Sequence, residues 1–334
     1  MPFGLGCGMS SEEALADRFR RALYVHMAEG RDLDHIDEDE KVKASLAHLG
    51  RTMAEFLDGR INLATVKYRM DNTFVETECS FPPREVEDAF REAVLSIDVD
   101  DIGPAMRELG AMPEDLTDAK GRLLDAEEFI HRQSSRGSVD RSFAGPFSML
   151  LMCLWHIQAP GMWPLRYGPL MELLQREGLI GRGDPAQDLV DYMAGVLSLA
   201  ESTGGRHADL ERLLPLLDGE LPAEDDCVAG SIAGGNASLE AQEWDRALRW
   251  FDLALAFRPQ SAEAMYGRIA AYEGKELYMM AVAEAEVLVE LLPEDLKAHR
   301  RLLALYKGRK MVPDHNREVR RFKAIVDARS DRSQ

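Results

Sequence analysis

AlaLeuAlaPheArgPro at 254–259 and LeuValGluLeuLeuPro at 288–293 are the two stretches whose reading decides the fold. Each is an apolar helical run stopped by proline, which lacks the backbone donor and clashes with the preceding turn. The two prolines, Pro259 and Pro293, stand 34 residues apart. A period of that length marks a helical solenoid, in which each unit is a helix pair that buries its apolar face only against its neighbours. Counting back from the prolines starts repeats at Val228, Ala262 and Leu296.

The first repeat carries Gly235, Ala247, Phe251, Ala254 and Pro259. Small residues at such spacing let the two helices of a pair approach closely. This pattern resembles the tetratricopeptide repeat. The second repeat keeps Tyr272, Ala281 and Pro293 but has Ile269 for the glycine and Ala285 for the aromatic. The third keeps Leu302, Leu303 and Tyr306, and the basic segment from Asn316 to Lys323 reads as a capping helix. The resemblance implies a peptide-binding groove on the first helices of the pairs. Some members of the family hold an acidic peptide's carboxylate there with two lysines, two asparagines and an arginine. Asn236, Lys297 and Arg301 match that set in type, whereas Ile232 and Gly267 stand where a lysine and an asparagine would be.

Asp218 to Asp226 is acidic, contains Pro222 and has no apolar face, so residues 218–227 read as a linker between a helical domain over 1–217 and repeats over 228–327. The upstream part reads as helices, beginning with a stripe of Leu15, Phe19, Ala22 and Leu23. Met149 to Trp155 is apolar on every face, as in a helix at the centre of a domain. The whole chain is therefore expected to be all-α, with Thr73 to Phe81, which alternates with period two, as the one candidate strand pair.

A second likeness lies in Phe56-Leu57-Asp58-Gly59-Arg60-Ile61-Asn62-Leu63, Lys67-Tyr68-Arg69 and the run LeuTrpHisIleGlnAlaProGlyMetTrpProLeuArgTyr at 154–167. These resemble an uncharacterised helical domain of bacterial restriction and phage-defence proteins. That resemblance implies a defence or regulatory component whose amino-terminal domain senses a nucleotide, a modified base or a phage protein. Within the same run, Trp155, His156, Trp163 and Tyr167 form a candidate ligand pocket, since aromatic faces stack on planar rings and an imidazole can hydrogen-bond them. The competing reading is a packed core.

Signs of catalysis are sparse. No phosphate loop, G-x-S-x-G elbow or H-E-x-x-H pair occurs. Four widely spaced cysteines show no C-x-x-C pair. The acidic run from Asp32 to Glu40 fails as a calcium loop, because Asp37 stands where glycine is required, and reads instead as the capped start of a helix. A net charge of -19 opposes generic nucleic-acid binding, although Lys297 to the end is +8 while the other 296 residues carry -27. The start lacks a secretory signal pattern and no apolar run spans a bilayer, so cytoplasmic residence is expected. The leading expectation is a non-catalytic interaction adaptor without cofactor or metal, taking a protein or acidic peptide as partner.

Overall fold

A computed structural model describes residues 10–30, 40–77, 84–165, 168–181, 183 and 185–332, and all the regular structure among them is helical. The acidic run 32–39, the second half of the expected strand pair at 78–81, and Tyr167 lie outside the described residues. The first half of that pair, Thr73 to Thr77, is helical: it closes the helix Leu63–Thr77, which buries Leu63, Val66 and Met70 at helical spacing ahead of the alternating run. Among the described residues no helix is long and apolar enough to cross a membrane.

The helices are α1 Ser11–Ala28, α2 Glu40–Leu57, α3 Leu63–Thr77, α4 Arg84–Ser96, α5 Val99–Gly110, α6 Leu116–Ser135, α7 Ala144–Gln158, α8 Gly168–Arg176, α9 Pro185–Thr203 and α10 His207–Leu213. Six more follow: α11 Glu224–Glu240, α12 Trp244–Phe257, α13 Ala262–Gly274, α14 Tyr278–Leu291, α15 Leu296–Gly308 and α16 Val312–Arg332. They fall into two compact units. The first draws its described residues from Met1–Ala16, Gly30–Glu201 and Gly205–Asp218. The second takes Asp17–Glu29, Ser202–Gly204 and Gly219–Gln334. Glu224 to Cys227, within the stretch read as a linker, form the first turn of α11, and Cys227 is fully buried.

At the centre of the first unit, α7 buries Phe147, Leu150, Leu151, Met152, Cys153, Leu154 and Trp155 and packs on α2, α4, α5 and α6. Burial also pushes the Cys153 thiol up, which keeps it an inert core group.

The second unit holds three helix hairpins in strict register. Gln242, Glu276 and Lys310, spaced 34 residues apart, have φ of 61°, 61° and 57°. Each ends a first helix in the left-handed region. The following N–H reaches back to the helix each time: Glu243 N to Ser238 O at 2.9 Å, Leu277 N to Tyr272 O at 2.8 Å, Met311 N to Tyr306 O at 2.9 Å. Second helices stop before the prolines, with Arg258 N on Ala254 O and Leu292 N on Leu288 O, both at 2.9 Å. Asp295 caps α15, accepting from Lys297 N at 2.8 Å.

Packing explains the departures in the second repeat. Phe251 is fully buried in a cluster with Ala247, Ala254, Ala264 and Ala271, and a Cβ on Gly235 would stand 2.6 Å from its ring. One repeat later the large and small partners are exchanged, with Ile269 in place of the glycine and Ala285 in place of the phenylalanine, both buried in one cluster. Volume is kept while the residue types swap helices.

Candidate functional site

The aromatic run in the first unit is a packed core. Trp155 is fully buried and its Nε1 donates to Leu109 O at 3.0 Å. Trp163, expected to be partly exposed around a pocket, is 3% exposed. The chain turns back there, with Met162 N and Trp163 N both bonded to Ala159 O. The Trp163 ring comes to 5.8 Å from that of Trp155. His156 Nδ1 donates to Trp163 O at 2.7 Å and His207 Nε2 donates to Pro160 O at 2.8 Å, so two imidazoles fasten the turn from either side. Neither tryptophan offers an open ring face to a ligand.

Burial pushes His156 down to about 4 and, on α10, pushes Glu211 up to about 7. These shifts act oppositely on stability. A histidine whose folded value is depressed contributes stability that is present above 6.5 and lost as pH falls towards about 4. A glutamate whose folded value is raised contributes stability that is present below 4.5 and lost as pH rises through about 7. The two slopes offset one another across the overlap. Glu211→Gln should stabilise the chain by roughly 2 kcal/mol at pH 8, the partial exposure of the side chain having reduced the full shift. At pH 4 it should change nothing, and between the two it should uncover a rise of stability with pH. Thermal melts of wild type and variant across that range check this, and superimposable curves would refute it.

In the second unit the expected donors lie on the first helices of the hairpins. Asn236 is exposed and lines a hollow of about 430 Å³ with Val228, Ala229, Ile232, Ala233 and Glu263. Lys297 occupies the position in the third repeat that Ala229 and Glu263 occupy in the first two, so the repeat register places it on the same face. Lys297 is exposed, and its Nζ lies 4.1 Å from the centre of the Tyr266 ring. Arg301, one turn further along α15, pairs with Glu273 at the end of α13.

The two missing donors have packing causes. Ile232 is half-buried against the Phe251 cluster. At Gly267 any Cβ would overlap the Phe251 ring, so an asparagine cannot stand there. What sequence reasoning missed is the layer around the cations. Tyr266 donates its hydroxyl to Asp295 Oδ2 at 2.9 Å, while the other oxygen of Asp295 caps the helix that carries Lys297. Arg258 and Asp225, which also line the hollow, pair with each other. Only the repeat register could have pointed to Tyr266, at the same repeat position as Ile232.

No protein-family model and no curated protein matches the sequence. Among solved structures the chain is similar to MamA, RS-1 ArsTM double mutant, at 20% identity, over 63% of this chain and 98% of that one, with a TM-score of 0.29. At that score the likeness carries no argument, and the hairpin register rests on the internal geometry alone. Among the described residues no group of three or more His, Cys, Asp or Glu side chains could hold a metal ion.

Proposed function

We propose that the second unit is a tetratricopeptide-type array serving as a non-catalytic adaptor, and that the face bearing Asn236, Tyr266, Lys297 and Arg301 receives an acidic segment of a partner protein. The observation that carries this reading is the pair of cations one turn apart on α15, with Lys297 held upright on the Tyr266 ring. A cation seated on an aromatic face loses little freedom when it meets a carboxylate, so the ordering cost of binding is partly met beforehand. Asn236 and the small side chains Ala229 and Ala233 leave room for an extended backbone beside them.

The test uses a fluorescently labelled peptide with two adjacent glutamates. The double change Lys297→Ala, Arg301→Ala should weaken its binding by roughly 1–3 kcal/mol while leaving the melting transition in place. Wild-type affinity should fall as salt rises. Undiminished binding by the double variant would move the partner site elsewhere.

A further inference from the structure

The cation best placed to receive an acidic group is already occupied. Arg301 is paired with Glu273, and the two side chains are 40% and 29% exposed, so the pair lies at the surface where a ligand could reach it. Nothing in α13 favours a carboxylate at that point. Glu273 lies in the last turn, where the helix presents its carbonyl ends, and its own carbonyl accepts from Glu276 N at 3.0 Å. A negative charge there opposes the helix dipole by about 0.3–1 kcal/mol. The repeat pattern does not call for one either, since the equivalent positions are Leu239 and Lys307. What Glu273 does find is Arg301, across on the first helix of the next hairpin.

We propose that Glu273 is a built-in competitor for the cationic site, masking Arg301 so that a partner segment gains from one acidic side chain at Lys297 and little from a second. This rests on the reading of the face given above. A segment with one carboxylate that takes Arg301 from Glu273 exchanges one ion pair for another and leaves Glu273 desolvated or repelled beside it. Its net gain is close to zero. A segment with two neighbouring carboxylates meets Lys297 and Arg301 together, because residues four apart on a helix hold their side chains about 5–6 Å apart at the Cβ atoms. The contact at Lys297 supplies a gain that the exchange at Arg301 does not, so the second carboxylate adds little while Glu273 is present. Lys297 suits the first contact, because its ammonium rests 4.1 Å from the centre of the Tyr266 ring and is not locked to Glu273 as Arg301 is.

The experiment compares two labelled peptides, one with a Glu–Glu pair and one with Glu–Gln at the same positions, on the full chain and on its Glu273→Gln variant. Glutamine keeps the shape and removes the charge, and a thermal melt of each protein establishes that both are folded. Wild type should bind the two peptides within about threefold of one another. In Glu273→Gln that gap should widen to about tenfold, because the Glu–Glu peptide then also gains Arg301. An unchanged gap and unchanged affinities in Glu273→Gln, with binding still weakened in Lys297→Ala, would overturn the role of Glu273 while leaving the acidic-partner reading in place. Absence of binding of either peptide to either protein would overturn both.

Discussion

Replacing Arg268 with methionine should lower the unfolding free energy by about 3 kcal/mol at pH 8 and by much less at pH 5. Arg268 stands in α13 between the two neighbouring second helices. Its Nε is 3.3 Å from Asp252 Oδ1 in α12, and its Nη2 is 3.6 Å from Glu284 Oε2 in α14 and donates to the Tyr272 hydroxyl at 3.0 Å. One guanidinium thus serves two carboxylates and ties three helices. Burial pushes both Asp252 and Glu284 above the ordinary carboxylate range, with Arg268 opposing the rise. Removing Arg268 removes that opposition and leaves two half-desolvated carboxylates facing each other. Asp252 is 40% exposed and keeps part of its hydration, which puts the cost at the lower end of the range for broken buried pairs.

The pH dependence follows from the direction of the shifts. A carboxyl raised in the fold binds its proton more tightly there than in the unfolded chain, so its contribution is lost as pH rises through the raised value. The variant should therefore regain stability on acidification. Adding Glu284→Gln to Arg268→Met should recover most of the loss at pH 8, a non-additive result expected of side chains in direct contact. Urea titrations at the two pH values decide it, and a variant curve running parallel to wild type would show that the network is not electrostatic.

The repeat array was legible because proline is an unambiguous stop, and Pro259 and Pro293 set its register. Its two departures were not legible as compensation. Ile269 and Ala285 look like lost consensus residues until they are seen to repeat, with large and small exchanged, the volumes of Gly235 and Phe251 one helix pair later. The turns between paired helices gave no signal either, since the left-handed positions hold Gln242, Glu276 and Lys310 in place of the glycine that would have announced them. In the first unit α5 carries Pro104 in its interior, a residue that reads as a helix breaker, although Asp98 caps it through a bond from Asp100 N at 2.9 Å. Of the candidate sites, the cations were readable by their spacing on α15. Glu273 was not, because its pairing with Arg301 joins two hairpins across 28 residues.

A fragment beginning at Gly219 should fail to fold as the full chain does, because the array lacks a terminal cover without α1. The first hairpin of a solenoid exposes the face that a preceding repeat would bury. Here Asp17–Glu29, far away in sequence, belongs to the same compact unit as the repeats. The Tyr24 ring meets Trp250 edge-on, with centroids 6.1 Å apart, and a Cβ on Gly230 would stand 2.6 Å from Tyr24 Cε2. Glycine at 230 is thus the space into which the tyrosine fits. The Arg20 guanidinium lies 5.7 Å over the Phe257 ring and donates to Ser202 O at 3.1 Å, and Arg21 donates to Pro222 O at 3.4 Å. Trp250 is 5% exposed in the full chain and would be opened by the truncation. A buried aromatic side chain is worth about 1.5–3 kcal/mol, and the loss of Tyr24 together with the cover on Trp250 and Phe257 amounts to several such terms in a small domain. The fragment should melt without cooperativity or aggregate. A synthetic peptide of residues 17–29, too short to be helical alone, should restore a cooperative melt and blue-shift the tryptophan emission. The same peptide with Tyr24→Ala should restore less. If the bare fragment melts as sharply and as high as the full chain, α1 is an appendage and the array ends at α11.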